Sequence, residues 1–427
     1  SNMTERSGAD AMVNATVRTN TPISIDGNAS TELAIPQGTE KLWTFGANVG
    51  DMLGGTTISV AARVMKNGKQ LATRTSDATI SIRPITTFET NVKTGILKSK
   101  SETIKKFARD MYTNKENIQL FVSANASVLM RPLFEYLKTY DYNCSEQLVS
   151  RALPYALAGD DMILGTTRTE SAQQISKFIN ELQNRQNPNG SFNMWPGVNT
   201  TPDETTAYIT AYAAHFMTIA RENGFNVPKN MLSRAIDYLR EYAGENIRNE
   251  SDADAKAFAI YVITRNEYVT TGYIDSFEEY ANKNIKNWES KLMGSYIAAS
   301  YKMLKQTAHA DKLFAKYKKT GERRFEYYGT FDTSAANDAI YSYLSRKYFG
   351  ANEFDIDSIR EYINSGEFST FTSAMAILGL SGDTPKESDT PKISVIANGS
   401  AIDGGIKSGT FTANIPHGTD KIEIKCD

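Results

Sequence analysis

The sequence has few of the residues that build metal sites and disulfide frameworks. Its 427 residues include only 2 cysteines and 3 histidines. Two cysteines cannot make a disulfide framework, and nothing in the sequence pairs Cys144 with Cys426. The histidines, His215, His309 and His417, lack the spacing of metal ligands. The sequence therefore predicts no metal site and no bound cofactor.

The sequence also has almost no net charge and no long apolar runs. Lys and Arg total 47 against 49 Asp and Glu, so the formal net charge is −2 and no global field attracts nucleic acid. No apolar run approaches the roughly 20 residues that cross a bilayer. The length suggests two or three domains. The opening Ser1-Asn2-Met3 is typical of an expression remnant, so we expect a fragment of a longer protein.

Strand-like patterns occupy both ends of the chain. Residues 1–97 contain alternating segments such as Ile23-Ser24-Ile25, and Asn67-Gly68 is a strong hairpin signal. After a polar linker at 382–391, residues 392–427 are strand-like again, but so short a tail does not fold alone. We therefore predict one β-domain built from 1–97 and 392–427, with 98–126 as a connecting segment.

The middle of the chain, residues 127–381, has a helical period. Ile175, Phe178, Ile179 and Leu182, for example, place an apolar stripe on one helix face. Roughly ten to twelve such helices follow one another with short loops and no strand pattern. Helical hairpins in series must curve or close to bury their inner faces. The predicted fold is an all-α α/α toroid inserted into an all-β sandwich, with an open solenoid as the alternative.

Cys144 and Gln147 form a Cys-x-x-Gln at the predicted start of a helix. Side chains three residues apart share one face of a helical turn, so the thiolate can attack the carboxamide, expel ammonia and leave an internal thioester. The free N–H groups and partial positive charge of a helix N-terminus favour both thiolate and oxyanion. The alternative is a buried cysteine that happens to precede Glu146 and Gln147.

The surrounding residues resemble the thioester motif of the alpha-2-macroglobulin and complement family. Bacterial members carry Tyr-Pro-Tyr-Gly-Cys-x-Glu-Gln, and the segment from Tyr140 to Gln147 departs from it only at Asp141 and Asn143. The stretch 186–197 is similar to the family's Gln-x-x-Asp-Gly-Ser-Phe-x-x-Trp-Pro-Gly turn. We expect Trp195 to be packed at the end of that turn. The resemblance spans most of the chain.

The resemblance implies a CUB-like β-domain interrupted by a thioester domain, and a protein that traps proteases or other targets covalently through Cys144 and Gln147. Such a trap is consumed in one event, so it is an endopeptidase inhibitor and not an enzyme. By the same resemblance Tyr140, beside Tyr142, shields the bond from water, although simple packing explains it equally well. Glu146 caps the helix start or polarises Gln147, and capping is favoured.

The resemblance also predicts the acceptor and the location. In family members that acylate hydroxyl groups a histidine assists the thioester, but the matching stretch from Ser251 to Lys256 has none. Lysine amines of a captured protein are therefore the expected acceptors. We expect a periplasmic or extracellular protein, with a lipid anchor on the full-length protein as an option.

Two other functions stay open at this stage. An α/α-toroid enzyme of the terpene-cyclase type would use the turn from Gln186 to Trp195 and an acidic Asp252-Ala253-Asp254. That turn does not recur convincingly, and a lone Asp-x-Asp is usually a solvated helix start. A structural or adhesion module would carry Cys144 as an inert residue.

Overall fold

The computed structural model describes the chain apart from several short segments. The residues outside the description are 4–9, 51–53, 83–91, 106–117, 159–163, 198–203, 320–330, 332, 351–355, 383–391, 408, 417 and 427. The predicted linker at 382–391 lies almost wholly among them. Of the helices that are described, none has the length and apolar character to span a bilayer.

The chain divides into two compact units. The first consists of Ser1–Thr90 with Ile104–Ile118 and Ile415–Lys421, and the second of Asn91–Thr103, Gln119–Asn414 and Ile422–Asp427. All of the described helices and the candidate reactive residues belong to the second unit. The domain boundaries expected from the sequence remain a prediction.

The first unit is built on an antiparallel sheet with the strand order β3-β1-β5-β6. The hairpin between β5 and β6 confirms the Asn-Gly signal, since Asn67 and Gly68 have φ angles of 46° and 73°. A two-stranded sheet pairs β2 with β4. The strands are β1 (Ala11–Thr19), β2 (Ile23–Asp26), β3 (Ser30–Ile35), β4 (Gly46–Val49), β5 (Gly54–Lys66) and β6 (Lys69–Ile82).

Two further sheets combine strands from before and after the helices. Their orders are β10-β9-β13-β7 and β11-β12-β8. The backbone N–H of Cys426 donates to the carbonyl of Lys100 at 2.9 Å, next to the start of β7. The strands are β7 (Ser101–Lys105), β8 (Ile118–Ser123), β9 (Ile393–Ala397), β10 (Ser400–Ala401), β11 (Gly405–Lys407), β12 (Thr410–Ile415) and β13 (Lys421–Cys426).

The pairing of the tail strands differs from the sequence expectation. The tail needs partner strands, as predicted, but it hydrogen-bonds to β7 and β8, which lie in the stretch 98–126 that we expected only to connect. Among the described residues, the strands before residue 98 are therefore not the hydrogen-bonding partners of the tail, although Ile415–Lys421 belongs to the same compact unit as Ser1–Thr90. β7 has only five residues, all exposed, so it lacks the apolar alternation by which a half-buried strand is recognised.

Among the described residues, twelve α-helices lie between β8 and β9. They are α1 (Met130–Thr139), α2 (Ser145–Ala158), α3 (Arg168–Gln183), α4 (Glu204–Glu222), α5 (Lys229–Gly244), α6 (Glu250–Arg265), α7 (Thr271–Asn284), α8 (Leu292–Met303), α9 (Thr307–Phe314), α10 (Ser334–Leu344), α11 (Ile356–Ser365) and α12 (Thr370–Leu380). The count agrees with the sequence prediction.

The even-numbered helices pack on one another in sequence order, and their contacts close into a ring. Each contacts the next even-numbered helix, and α12 contacts α2. The odd-numbered helices pack outside them. All residues of α12 are buried, whereas α3 buries only one stripe, Ser171, Ile175, Phe178, Ile179 and Leu182. A helix that is apolar all round is an interior helix, and an amphipathic one covers it.

Local sequence sets the start and the spacing of these helices. The side chains of Thr167, Asn249 and Ser369 accept hydrogen bonds from backbone N–H groups in the first turns of α3, α6 and α12. Gly379 allows α12 to approach α10 closely, because a Cβ there would lie 2.8 Å from the carbonyl oxygen of Ala339. The small residue therefore decides how tightly the ring packs at this point.

A charge cluster built on the buried Arg265 lies at the C-terminal ends of α4 and α6. Arg265, only 3% exposed at its side chain, donates to Glu222 at 2.6 and 2.8 Å, and Lys347 donates to the same carboxylate at 2.9 Å. Burial by itself would raise the pKa of Glu222. The hydrogen bonds and charges of Arg265 and Lys347 outweigh burial and lower that pKa to about 2.

We predict that Glu222→Gln destabilises the chain at pH 7 and much less at low pH. A carboxyl group whose pKa is lower in the folded state stabilises the protein above about pH 4.5. That stabilisation is lost as the pH falls towards 2. The loss at pH 7 should be about 2 kcal/mol, below that for a fully buried pair because the Glu222 carboxylate is partly hydrated. Urea unfolding at pH 7 and pH 3 measures it, and an equal loss at both pH values would contradict the assignment.

A tight turn after α3 packs against the start of α4. Its backbone is closed by hydrogen bonds from Asn187 to Ser191 and from Asn193 to Arg185, at 2.8 and 3.1 Å. Gly190 has a φ of 95°, and a Cβ there would lie 2.0 Å from the carbonyl oxygen of Arg234. Only glycine fits such a position. The Gly-Ser-Phe of this sequence motif is therefore a requirement of the backbone.

The buried aromatic of this turn is Phe192 and not Trp195. Phe192 is fully buried, and its backbone N–H donates to Thr210 on α4 at 2.9 Å. Trp195 is 49% exposed. The expectation of a packed Trp195 is therefore wrong. Asn193 is the last buried residue of this turn, and two residues later the chain no longer packs between the helices.

We predict a large difference between two substitutions in this turn. Phe192→Ala should lower the free energy of unfolding by about 3–5 kcal/mol, because it leaves a cavity at a fully buried site. Trp195→Ala should cost about 1 kcal/mol or less, since half of the side chain already lies in water. Chemical denaturation of both variants tests this, and comparable losses would show that Trp195 has packing that its exposure does not indicate.

Candidate functional site

Cys144 occupies the cap position of α2. Its carbonyl accepts the backbone N–H of Leu148 at 2.9 Å, and its own N–H donates to Oε1 of Gln147 at 2.9 Å. A side chain at the third helical position that reaches back to the cap N–H makes one half of a capping box. The Cys-x-x-Gln spacing therefore brings the Gln147 carbonyl back over Cys144, as the sequence reasoning expected.

The Gln147 carboxamide is held at both ends. Its oxygen accepts from the Cys144 N–H, and its Nε2 donates to the phenolic oxygen of Tyr140 at 3.3 Å. The N–H polarises the carbonyl that a sulfur would attack. The nitrogen that would leave as ammonia lies beside a hydroxyl group. The contact with Tyr140 fixes the orientation of the amide.

Glu146 turns inward between two helices of the ring. Its carboxylate accepts the hydroxyl of Ser150 at 2.6 Å, and the hydroxyl of Thr370 on α12 lies 2.9 and 3.0 Å from its two oxygens. Oε2 lies 4.0 Å from the Cys144 sulfur. The backbone cap that the sequence reasoning favoured for Glu146 is made by Gln147, and Glu146 instead faces the thiol.

Burial controls the protonation of Cys144. The residue is 6% exposed, and desolvation raises the pKa of its thiol to about 11. The backbone N–H groups of Gln147 and Glu146 lower that pKa, the charge of Glu146 raises it, and the charge of Arg185 lowers it. The helix N-terminus therefore acts in the predicted direction, but burial is the stronger effect and favours the protonated thiol.

Aromatic rings cover one side of the pair. The Tyr140 ring lies 5.6 Å from that of Tyr136 and 5.7 Å from that of Tyr142, and Tyr136 packs on Phe368 at 5.2 Å. Tyr140 is half-buried, whereas Tyr142 is 69% exposed. Tyr140 thus packs and also touches Gln147, so the two interpretations of this residue are compatible. Tyr142 is a surface side chain.

Asn143 takes the motif's glycine position without a left-handed backbone. It is not among the residues with positive φ. Its side chain accepts from Arg151 at 2.9 Å and donates to Glu181 at 3.2 Å, which ties the turn to α2 and α3. The substitution therefore needs no conformational freedom that glycine alone supplies.

The turn from 185 to 195 holds the start of α2. The backbone N–H of Ser145 donates to Met194 at 2.8 Å, its hydroxyl donates to the carbonyl of Asn193, and Nη1 of Arg185 lies 3.4 Å from that hydroxyl. Sequence reasoning did not identify Arg185 or Thr370 as part of the site. Thr370 lies 224 positions from Glu146, and only the closing of the ring brings the two together.

The centre of the ring offers no room for a substrate. The space there measures about 10 Å³, which is near the volume that one water molecule needs. It is lined by large side chains, among them Tyr208, Tyr212, Phe258, Tyr261, Tyr296 and Tyr343. His215 lies in this lining, and burial and the charge of Arg265 lower its pKa well below the usual value, so it is neutral.

The acidic stretch at the start of α6 is occupied with structural contacts. Asp252 is fully buried and accepts from the Tyr242 hydroxyl at 2.6 Å and from the Arg248 backbone at 3.0 Å. In the part of the chain that the structure describes, no three His, Cys, Asp or Glu residues are grouped as metal ligands. His417 lies outside that part. These contacts give the terpene-cyclase alternative no support.

Comparison with known proteins points in one direction. No protein-family model matches the chain. It is 31% identical over 259 residues, 59% of its length, to 14% of an alpha-2-macroglobulin of Rickettsia conorii. It is 27% identical over 397 residues, 89% of its length, to 19% of an alpha-2-macroglobulin homolog of Yersinia pestis. The chain thus spans less than a fifth of these relatives.

Solved structures show the same fold at lower identity. A Salmonella alpha-2-macroglobulin reacted with methylamine aligns with a TM-score of 0.62 and 16% identity, over 98% of this chain and 28% of that one. Native Escherichia coli alpha-2-macroglobulin from its domain MG7 to the C-terminus aligns with a TM-score of 0.60 and 17% identity, over 98% and 68%. The resemblance inferred from the sequence is confirmed: the chain is similar in sequence to bacterial alpha-2-macroglobulins, and its fold aligns with the C-terminal part of the Escherichia coli protein.

Proposed function

We propose that the chain is the thioester-bearing part of a covalent protein trap. Cys144 and Gln147 would form the internal bond, and a captured protein would become attached to the acyl group of residue 147. The observation that carries this proposal is the geometry of one helical turn, in which the Gln147 carbonyl lies against the Cys144 backbone and the carboxamide is held at both ends.

The proposed architecture follows from the helix contacts and the strand pairing. The helices from 127 to 381 form an α/α toroid, which is inserted into a CUB-like β-sandwich. Support comes from the contact between α12 and α2, and from the sheets that join strands on both sides of the helices. For this β-domain we propose the strands within 98–126 together with 392–427, separated from the helices by the linker 382–391.

Formation of the thioester needs one proton acceptor near Cys144. The thiol passes its proton to Glu146, whose Oε2 lies 4.0 Å from the sulfur, and the sulfur attacks the carboxamide carbon of Gln147. The resulting oxyanion accepts the Cys144 N–H, which already contacts Oε1. The C–N bond then breaks, and the nitrogen takes the proton from Glu146 and leaves as ammonia. The products are a thioester and ammonia.

Capture of a target reverses the roles of sulfur and nitrogen. An uncharged amine attacks the acyl carbon of residue 147, the C–S bond breaks, and the amine proton ends on the Cys144 sulfur. The product is an amide bond and a free thiol. Among the described residues that contact Cys144 or Gln147, none is a histidine, so the lysine amines of a protein are better acceptors than hydroxyl groups, which need a general base.

The proposed targets are proteases, and the proposed location is the periplasm or the cell exterior, with a lipid anchor on the full-length protein as an option. Support comes from the similarity to bacterial alpha-2-macroglobulins and from the Salmonella relative, which was reacted with methylamine. The chain would act once and not turn over, so we do not propose an enzyme. An inert module would need a Cys144 that never reacts, which the following test addresses.

We predict that methylamine releases one thiol and attaches to residue 147. The closed chain should be lighter than its encoded mass by one ammonia, and the Cys144 thiol should be hidden from a thiol reagent until methylamine is added. Cys144→Ala should abolish both the mass defect and the thiol release. Cys426→Ala is the matched control and should change neither. Intact-mass spectrometry and a thiol titration measure the two effects.

Hydrolysis of the bond would leave its own trace. The chain would then carry a free Cys144 thiol and a Gln-to-Glu change at position 147 alone, which peptide mass spectrometry detects and which still supports the proposal. An unchanged Gln147 beside a free Cys144 thiol, in freshly prepared full-length protein, would contradict it and favour the inert module.

We predict that Tyr140→Phe slows closure of the thioester. The variant keeps the ring but loses the hydroxyl that the Gln147 Nε2 contacts at 3.3 Å, so the amide is less firmly oriented. The loss of one such hydrogen bond, about 1 kcal/mol, corresponds to a closure rate about fivefold lower. The closed fraction, followed by mass after synthesis, reports it. Tyr142→Phe is the matched control, and an equal effect there would argue against a specific role for Tyr140.

A further inference from the structure

We propose that Arg185 is a positioning residue that stabilises negative charge on the Cys144 sulfur when the C–S bond breaks. The inference rests on the proposed function and extends it. Arg185 lies outside the Cys-x-x-Gln segment. Its position at the start of the turn that holds Ser145 brings a permanent positive charge to the N-terminus of α2.

Arg185 is buried to an extent that is unusual for an arginine. It is 6% exposed, and its Nε has no hydrogen-bond partner among the residues that the structure describes. Its Nη1 reaches the hydroxyl of Ser145 at only 3.4 Å, and Ser145 directly follows Cys144. A guanidinium is costly to bury without full pairing. The incomplete pairing leaves its charge available to a neighbouring group.

The backbone of Arg185 is fixed independently of its side chain. Its N–H donates to the carbonyl of Leu182 at 2.9 Å, and its carbonyl accepts the N–H of Asn193 at 3.1 Å. The turn therefore does not need the guanidinium in order to close. Substitution of the side chain should leave the backbone path that holds Ser145 in place.

The charge of Arg185 acts at the step of capture in which the C–S bond breaks. When an amine attacks the acyl carbon, the electron pair of the broken C–S bond goes to the sulfur before a proton arrives. Burial and the Glu146 carboxylate, 4.0 Å from the sulfur, make a thiolate there unfavourable, and the pKa of the thiol is raised to about 11. Arg185 acts in the opposite direction.

The charged groups that act on this pair are few. Glu146 on α2 and Arg185 act on the sulfur, and Glu181 on α3 is the carboxylate whose charge acts most on Arg185. Burial lowers the pKa of Arg185, while the charges of Glu181 and Cys144 raise it, so the guanidinium stays protonated. Glu181 also accepts from Asn143 at 3.2 Å, so its carboxylate is fixed beside the site.

The test measures the pH dependence of the Cys144 thiol. In the Cys426→Ala background, after the bond has been opened with methylamine, the rate of alkylation by iodoacetamide is followed from pH 7 to 11. Arg185→Gln should move the alkylation profile to higher pH, and in separate experiments it should slow thiol release by methylamine several-fold. Arg185→Lys keeps the charge, so its alkylation profile and its rate of thiol release should stay close to those of the parent chain. Arg221→Gln, which replaces an exposed arginine in the last turn of α4 that contacts Asn266, should change neither.

A second variant keeps the test decisive if Arg185→Gln does not fold. Glu181→Gln removes the carboxylate that neutralises Arg185, so it should move the alkylation profile to lower pH, opposite to Arg185→Gln. Cooperative thermal unfolding checks that each variant is folded. A folded Arg185→Gln with an unchanged alkylation profile, or no shift in Glu181→Gln, would overturn the proposal.

The outcome can be separated from that of the proposed function. If the parent chain never forms a thioester, methylamine releases no thiol and the trap proposal fails. The alkylation profile of the free Cys144 thiol can still be measured in that case, and it still reports whether Arg185 acts on the sulfur. A shifted profile without a thioester would therefore refute the trap while keeping the electrostatic contact.

Discussion

The contact between α2 and α12 is the constraint on which the rest of the helical region depends. It joins the first and the last of the inner helices, and at its centre the buried Glu146 carboxylate accepts the hydroxyl of Thr370. A carboxylate placed there must be satisfied, because an unpaired buried charge is costly. The hydroxyl of Ser150, which also contacts Tyr212 on α4, is a further hydrogen-bond partner of this carboxylate. The candidate reactive pair therefore lies at the point where the ring closes.

This position gives the site two properties that would conflict on a flexible loop. Cys144 is buried, which keeps its sulfur away from water, yet Gln147 contacts the half-buried Tyr140, whose ring packs beside the exposed Tyr142. The turn from 185 to 195 fixes Ser145 from the other side. A rigid frame of this kind orients reacting groups before any partner arrives, and such orientation is a large part of how proteins accelerate reactions. The packed aromatic centre of the ring contributes rigidity rather than a substrate cavity.

Local sequence patterns predicted the structure where neighbours in sequence are also neighbours in space. The Asn67-Gly68 hairpin, the number of helices and the approach of Gln147 to Cys144 are local in this sense. The features that local patterns did not predict depend on burial or on distant partners. The protonation of Cys144, the exposure of Trp195 and the partner strands of the tail all require knowledge of which surfaces meet.

Spacing along the chain was enough to identify the helical period, the turn chemistry and the candidate reactive pair, because each follows from one strand or one helical turn. The protonation of Cys144 and the surroundings of Glu146 depend instead on packing between distant parts of the chain. The ring brings Thr370 across 224 positions, and the turn brings in Arg185. Desolvation and Coulomb interactions depend on distance in space and on the exclusion of water, and neither is encoded in the spacing of residues along the chain.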